Sequence, residues 1–180
     1  ELKMNRNYSR NSGEFYRWNT QTADFEGQSQ FETATLTSAG TQRFRGAVTV
    51  GTATTLTTTN SAVTFDAALS SSSTEQNNLT IAAGSGNILA QGAIGGSVAA
   101  EGFGDLIFNT TGTKTFGSTI QAVSLTTQGV GIVNLGGDVT TSAAQTYNSD
   151  VVLSFTLSKC SIVCVSINII GVASGSPPKS

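Results

Sequence analysis

The chain has 180 residues, a formal net charge of −2 and no histidine, and only 11% of its residues are charged. Binding to duplex nucleic acid needs a basic footprint, so this charge argues against a nucleic-acid partner. The absence of histidine excludes Ser-His-Asp and Cys-His catalysis and histidine-ligated zinc. Thr, Ser, Asn and Gly are abundant instead, and β-branched residues such as Thr suit a pleated strand and crowd a helix. The composition therefore predicts an all-β protein.

Residues 1–32 hold most of the large aromatic side chains, among them Tyr8, Trp18, Phe25 and Phe31. Aromatic side chains bury a large area, and the end of a strand stack exposes unpaired backbone groups that must be covered. We therefore predict that residues 1–32 form an N-terminal aromatic cap segment.

Residues 33–157 contain many short segments in which apolar and small polar residues alternate, the pattern of a strand with one buried face. Gly, Asn, Asp and Ser stand between these segments, as turns require. The predicted strands are 34–37, 47–50, 55–58, 62–65, 79–81, 87–90, 106–108, 123–126, 132–135, 139–141 and 151–153.

Three features favour a β-solenoid over a sandwich or a barrel. The strands are very short, the apolar residues are small and aliphatic, and residues 42–50 have an echo at 145–153. In the same register, residues 36–38 align with 139–141. A stacked array of coils produces such an echo. We predict five or six coils of about 20–30 residues each, wound as a right-handed parallel β-helix.

Residues 158–180 differ in composition and are predicted to form a terminal strand or cap followed by a disordered tail. Polar residues interrupt the apolar run in this region, so we expect no membrane span. Cys160 and Cys164 could form a disulfide if a turn separates them, or remain as buried thiols. Neither alternative is preferred.

Several segments resemble the repeats of large bacterial filamentous-haemagglutinin-like exoproteins. They are residues 55–59, 62–65, 78–84, 86–88, 92–96 and 144–149. The resemblance covers about residues 36–157. It implies a right-handed parallel β-helix, export to the cell surface and adhesive or structural work. The family has no catalytic residues to transfer.

Threonines that alternate along a strand point to the same face, where they would form a flat array of hydroxyl and methyl groups. Such an array on a rigid solenoid could order water and bind ice. The simpler interpretation is that threonine suits exposed solenoid strands. The candidate face comprises Thr33, Thr35, Thr37, Thr52, Thr54, Thr57, Thr59, Thr113 and Thr115.

Two carboxylate pairs, Asp24 with Glu26 and Glu101 with Asp105, invite comparison with glycosidase or calcium sites. They lack the clustered charges such sites need, so we interpret them as solvated surface charges. The glycines fit no phosphate-binding motif. We therefore expect no enzymatic activity, no cofactor and no metal site.

The sequence as a whole predicts a non-enzymatic β-solenoid, secreted or on the bacterial cell surface, that acts in adhesion or as a structural rod. The alternative is an ice-binding solenoid that uses the threonine face. The expected partner is an extracellular surface, a glycan or ice, and end-to-end self-association is a further hypothesis.

Overall fold

The computed structural model describes residues 2–4, 22–32, 35–72, 75–96 and 102–154. In these residues the chain forms eighteen strands and no helix, which confirms the all-β prediction. Every pairing between these strands is parallel. None of the described residues belongs to a helix with the length and hydropathy of a membrane span.

The strands form three sheets, which we call A, B and C. Sheet A consists of β1 (Leu2–Met4), β2 (Thr22–Phe25), β5 (Thr41–Phe44), β8 (Val63–Phe65), β11 (Ile88–Ala90), β13 (Lys114–Phe116), β15 (Val133–Leu135) and β18 (Val151–Leu153). Sheet B consists of β4 (Thr35–Ser38), β7 (Thr54–Thr58), β10 (Leu79–Gly84), β12 (Phe103–Thr110), β14 (Ile120–Gln128), β16 (Val139–Thr141) and β17 (Gln145–Tyr147). Sheet C consists of β3 (Ser29–Phe31), β6 (Val48–Val50) and β9 (Leu69–Ser71).

The chain visits the sheets in a fixed order, A then C then B. The first coil is β2, β3 and β4, the second is β5, β6 and β7, and the third is β8, β9 and β10. In the fourth coil, Ile94 continues the line of sheet C by bridging to Leu69 and Ile120. In the fifth, the single long strand β14 covers both remaining sides, and β15, β16 and β17 form the sixth. This arrangement of stacked coils is that of a β-solenoid.

The number of residues in a coil differs from one coil to the next, although the paired strands stay aligned. The coil that leads from Ile88 to its partner Lys114 is considerably longer than the one that leads from Val133 to its partner Val151. The strands of the described residues trace six coils, which agrees with the predicted number. Sheet A keeps its register across coils of different length, whereas sheet B has a register shift between Ala82 and Gly84.

Aromatic rings stack along the inner side of sheet A. Phe25, Phe44 and Phe65 occupy the same position in three successive coils, with ring centroids 4.7 and 4.9 Å apart and nearly parallel planes. Phe31 of sheet C meets Phe44 edge-on at 5.6 Å. Burial of such a side chain stabilises a protein by about 1.5–3 kcal/mol. These rings tie the first three coils into one core.

Part of the predicted cap segment belongs to the coils themselves. Residues 22–32 form β2 and β3, which pair with β5 and β6. Phe25 and Phe31 therefore contribute to the core of the first coil. Apart from β1, the segment before residue 22 lies outside the described residues, as do residues 155–180. The cap, the terminal strand and the two cysteines stay predictions.

Each of the eleven predicted strands overlaps a strand of the structure. Between residues 33 and 157 the sequence pattern missed the serine-rich strand β9, and it missed β5, β13 and β17 for a shared reason. Each of these three strands begins its inward-facing row with a polar side chain, Gln42, Lys114 or Gln145, and all three side chains are buried. A polar residue at an inward position breaks the apolar alternation by which strands are recognised.

The internal echo has a different origin from the one predicted. Residues 42–44 lie in sheet A, whereas residues 145–147 lie in sheet B, so the two segments are not equivalent parts of a coil. They share a local feature instead. The amide nitrogen Nε2 of Gln42 donates to the carbonyl oxygen of Leu36 at 3.4 Å, and Nε2 of Gln145 donates to that of Val139 at 3.3 Å. The echo marks two similar corners.

Three glycines are stacked at the corner between sheets B and A. A Cβ added to Gly86 would lie 2.1 Å from the carbonyl oxygen of Ser61, one added to Gly112 would lie 2.6 Å from that of Gly86, and one added to Gly131 would lie 1.9 Å from that of Gly112. Real Cβ atoms do not approach backbone atoms so closely, so this corner requires residues without a Cβ.

We predict that Gly131→Ala lowers the free energy of unfolding by about 1–3 kcal/mol, because the overpacked backbone of two coils must separate. The matched control is Gly27→Ala, at the corner between sheets A and C, where no described atom lies within 4 Å of the added Cβ. Urea denaturation followed by circular dichroism measures both variants. Equal stability of the two variants would contradict the stacked-glycine corner.

Candidate functional site: the outer face of sheet B

Threonines form a column along the outer face of sheet B. Parallel pairing in register places equivalent residues of successive coils beside one another, and the strand period of two keeps them on one side. The outward column runs through Thr35, Thr55, Thr80, Ile107, Thr126 and Thr146. Five of its six members are threonine, although their sequence spacing is irregular.

A second outward column lies two residues further along each strand. It consists of Thr37, Thr57, Ala82, Asn109 and Gln128. We call the two columns together the threonine face. The residues between them, such as Leu56 and Ile81, point inward and are fully buried. The same strands that build the core therefore present the face.

The threonine face carries no charged side chain. The nearest acid on β12 is Asp105, which lies two residues before Ile107 and accepts a hydrogen bond from the Ser124 hydroxyl at 2.7 Å. Threonine side chains on this face are half-buried or exposed, because neighbouring rungs pack beside them. The face thus combines hydroxyl donors and acceptors with methyl groups, in a regular array and without formal charge.

Charges gather instead along the edge of sheet A that leads to sheet C. Arg45 in the second coil contacts Asp24 in the first through two hydrogen bonds of 2.9 and 2.8 Å. Arg43 reaches Asp66 in the third coil at 2.8 Å. The hydrogen bond to Asp24, and then the charge of that carboxylate, raise the pKa of Arg45. These pairs link three coils at a solvated surface, where such bridges contribute little stability.

The structure brings only some of the predicted threonines together on one face. Thr35, Thr37 and Thr57 lie on the threonine face. The assignment of Thr54 is wrong, because this residue points inward and its hydroxyl donates to the carbonyl oxygen of Thr52 at 2.8 Å. The assignment of Thr115 is wrong as well, because it points outward from sheet A.

The remaining candidates lie elsewhere. Thr52, Thr59 and Thr113 occupy turns between strands, and Thr33 lies outside the described residues. Four threonines of the face, Thr55, Thr80, Thr126 and Thr146, were not among the predicted candidates. Only the pairing of strands that are distant in sequence identifies them.

The predicted acid pairs do not assemble into a site. Asp24 is held by Arg45, Glu26 is exposed, and Asp105 is held by Ser124. Glu101 lies outside the described residues. Across the described ranges, no group of three or more His, Cys, Asp or Glu residues is placed to hold a metal ion.

Lys114 is a fully buried cation in the core of the fifth coil. Its ammonium nitrogen Nζ donates to the carbonyl oxygens of Thr110 at 3.1 Å and Gly131 at 3.0 Å, and lies 3.5 Å from that of Gly112. Thr110 and Gly112 lie at the corner that leads into its coil, and Gly131 lies at the equivalent corner one coil later. Desolvation by burial lowers the pKa of Lys114 below its usual value of 10.5. The side chain thus bridges two coils at the glycine corner.

This lowered pKa gives a testable dependence of stability on pH. Between the lowered native pKa and about 10.4, the unfolded chain binds a proton that the native chain releases, so stability rises with pH. We expect the wild-type chain to gain stability relative to Lys114→Met as pH rises through this window, by at most about 1.4 kcal/mol per pH unit. Below the window the difference between the two proteins is constant. Urea denaturation at a series of pH values from about 7 to about 10.5 measures the free energy of unfolding of both proteins. A difference between the two that stays constant over this whole range would contradict the prediction.

No family model, curated protein or solved structure matches the chain.

Proposed function

We propose that the chain is a non-enzymatic, extracellular β-solenoid of a bacterial surface or secreted protein, and that it acts in adhesion or as a structural rod. The observation that carries the proposal is the threonine column, which runs through all six described coils and contains no charged side chain. A surface of this kind suits contact with an extended partner better than enclosure of a small molecule, since ligand sites for small molecules are concave.

The stack itself supports a mechanical role. Strands in a sheet are about 4.7–4.9 Å apart, so the eight strands of sheet A extend over roughly 33 Å. Each inner rung is bonded on both sides. The backbone nitrogen of Val63 donates to the carbonyl oxygen of Asn87 at 3.0 Å, and the backbone nitrogen of Ile88 donates to the carbonyl oxygen of Thr113 at 2.9 Å. A rod built in this way holds its outer face flat and fixed relative to whatever carries it.

The finer features of the fold belong to the same proposal. Crossovers between parallel strands of one sheet are right-handed in nearly all proteins, which supports right-handed winding. The resemblance to filamentous-haemagglutinin-like repeats supports export to the cell surface and an adhesive role. The aromatic N-terminal segment would then serve as the cap at one end of the rod.

A pull-down with insoluble polymers tests the adhesive function. We expect the purified full chain to be retained by at least one of microcrystalline cellulose, chitin and peptidoglycan. We expect the triple variant Thr55→Glu, Thr80→Glu, Thr126→Glu to weaken retention about tenfold or more, equivalent to the loss of about 1.4 kcal/mol of contact. The reason is that each glutamate replaces a hydroxyl and a methyl group on the threonine face with a longer, hydrated carboxylate.

The matched control is the double variant Thr64→Glu, Thr115→Glu, which places the same side chain on the outer side of sheet A. Retention that falls equally in both variants, or no retention by any of the three polymers, would contradict adhesion through the threonine face. Release of soluble sugar from the polymers would contradict a non-enzymatic role.

A further inference from the structure

We propose that the threonine face binds ice through its first three coils. This inference rests on the proposed role of the face as a contact surface, and it names ordered water as the ligand. The relevant residues are Thr35, Thr37, Thr55, Thr57 and Thr80, which occupy five of the six positions that β4, β7 and β10 contribute to the two columns. The sixth, Ala82, is too short to protrude.

These residues form a two-dimensional array with a regular spacing in each direction. Adjacent rungs are about 4.7–4.9 Å apart, and outward residues on one strand are about 6.6 Å apart, so the array repeats in two directions. The β-branched threonine side chain has few accessible rotamers, which limits the entropy lost when its hydroxyl is fixed. A ligand that meets all of these hydroxyls at once must itself be a regular, flat solid.

The chemistry of the array favours water over other solids. Each hydroxyl donates and accepts hydrogen bonds, as a water molecule does, while each methyl group offers no hydrogen bond and restricts the orientation of the water beside it. No charged group on the two columns holds a competing hydration shell.

The later coils limit the extent of the proposed ice-binding surface. Ile107, Asn109 and Gln128 interrupt the two columns with longer side chains. Thr126 and Thr146 continue the first column, but they lie beyond Ile107 and without threonine neighbours in the second. The proposed contact therefore centres on Thr55, which has Thr35 and Thr80 on either side and Thr57 along its own strand.

Thermal hysteresis and the shape of ice crystals test this inference directly. We expect the purified full chain to separate the melting and growth temperatures of ice and to produce faceted crystals. Thr55→Tyr, at the centre of the array, should lose both effects, and Thr55→Val should reduce them because only the hydroxyl is removed. Thr64→Tyr, on sheet A, should retain both. Circular dichroism melts confirm that all three variants are folded.

Wild-type chain without hysteresis or faceting would overturn the inference, and so would equal loss in Thr55→Tyr and Thr64→Tyr. The polymer pull-down separates this failure from failure of the adhesive function. Retention that depends on the threonine face without any effect on ice leaves adhesion standing and overturns ice binding. Hysteresis without retention supports ice as the ligand and overturns adhesion to those polymers.

Discussion

Parallel hydrogen bonding between equivalent strands of successive coils is the interaction on which the rest of this structure depends. Along sheet A, the backbone nitrogen of Lys114 donates to the backbone carbonyl oxygen of Ile132 at 2.9 Å. The backbone nitrogen of Val133 donates to the backbone carbonyl oxygen of Asp150, also at 2.9 Å. Each coil is thereby locked in register with the next. Because the register is fixed, a residue's identity in one coil decides what its neighbour in the next coil touches. The core, the charged edge and the threonine face are three consequences of this single constraint.

Each strand of sheet B serves two purposes at once. Leu56 is fully buried, while Thr55 and Thr57 on either side of it face outward. A chain with so few charges keeps a polar exterior on this sheet in this way, since hydroxyl groups take the place of charged ones. Where polar residues turn inward, as Gln42 and Lys114 do, they bond to backbone carbonyls at the corners. These buried groups tie neighbouring coils together at positions where apolar residues alone would specify no partner.

The sequence was sufficient for the local features and insufficient for the non-local ones. Alternation predicted strands such as β7 and β8 because it depends only on adjacent residues. It failed at β13, where the inward Lys114 resembles a surface residue in sequence. The candidate face also included Thr54 and left out Thr55, although the strand period of two around the buried Leu56 places Thr54 inward and Thr55 outward. What the local pattern could not supply is the alignment of Thr55 with Thr35 and Thr80, which depends on pairing with strands of the neighbouring coils. Coil length differs from one coil to the next in sheet A, which hides the threonine column from any fixed repeat.

The central claim is that one outward residue from each of six successive coils, a threonine in five of them, lies in a single column. Electron–electron distance measurements test it most directly, with spin labels on cysteines that replace Thr35 and Thr146 in a chain where Cys160 and Cys164 are changed to serine. The two labelled positions lie on the first and the sixth strand of the column, five inter-strand spacings apart. From the usual spacing of strands in a sheet, stacking in register predicts a narrow distribution centred at about 24 Å. A broad distribution, or a centre far from that distance, would contradict the stacking of coils in register.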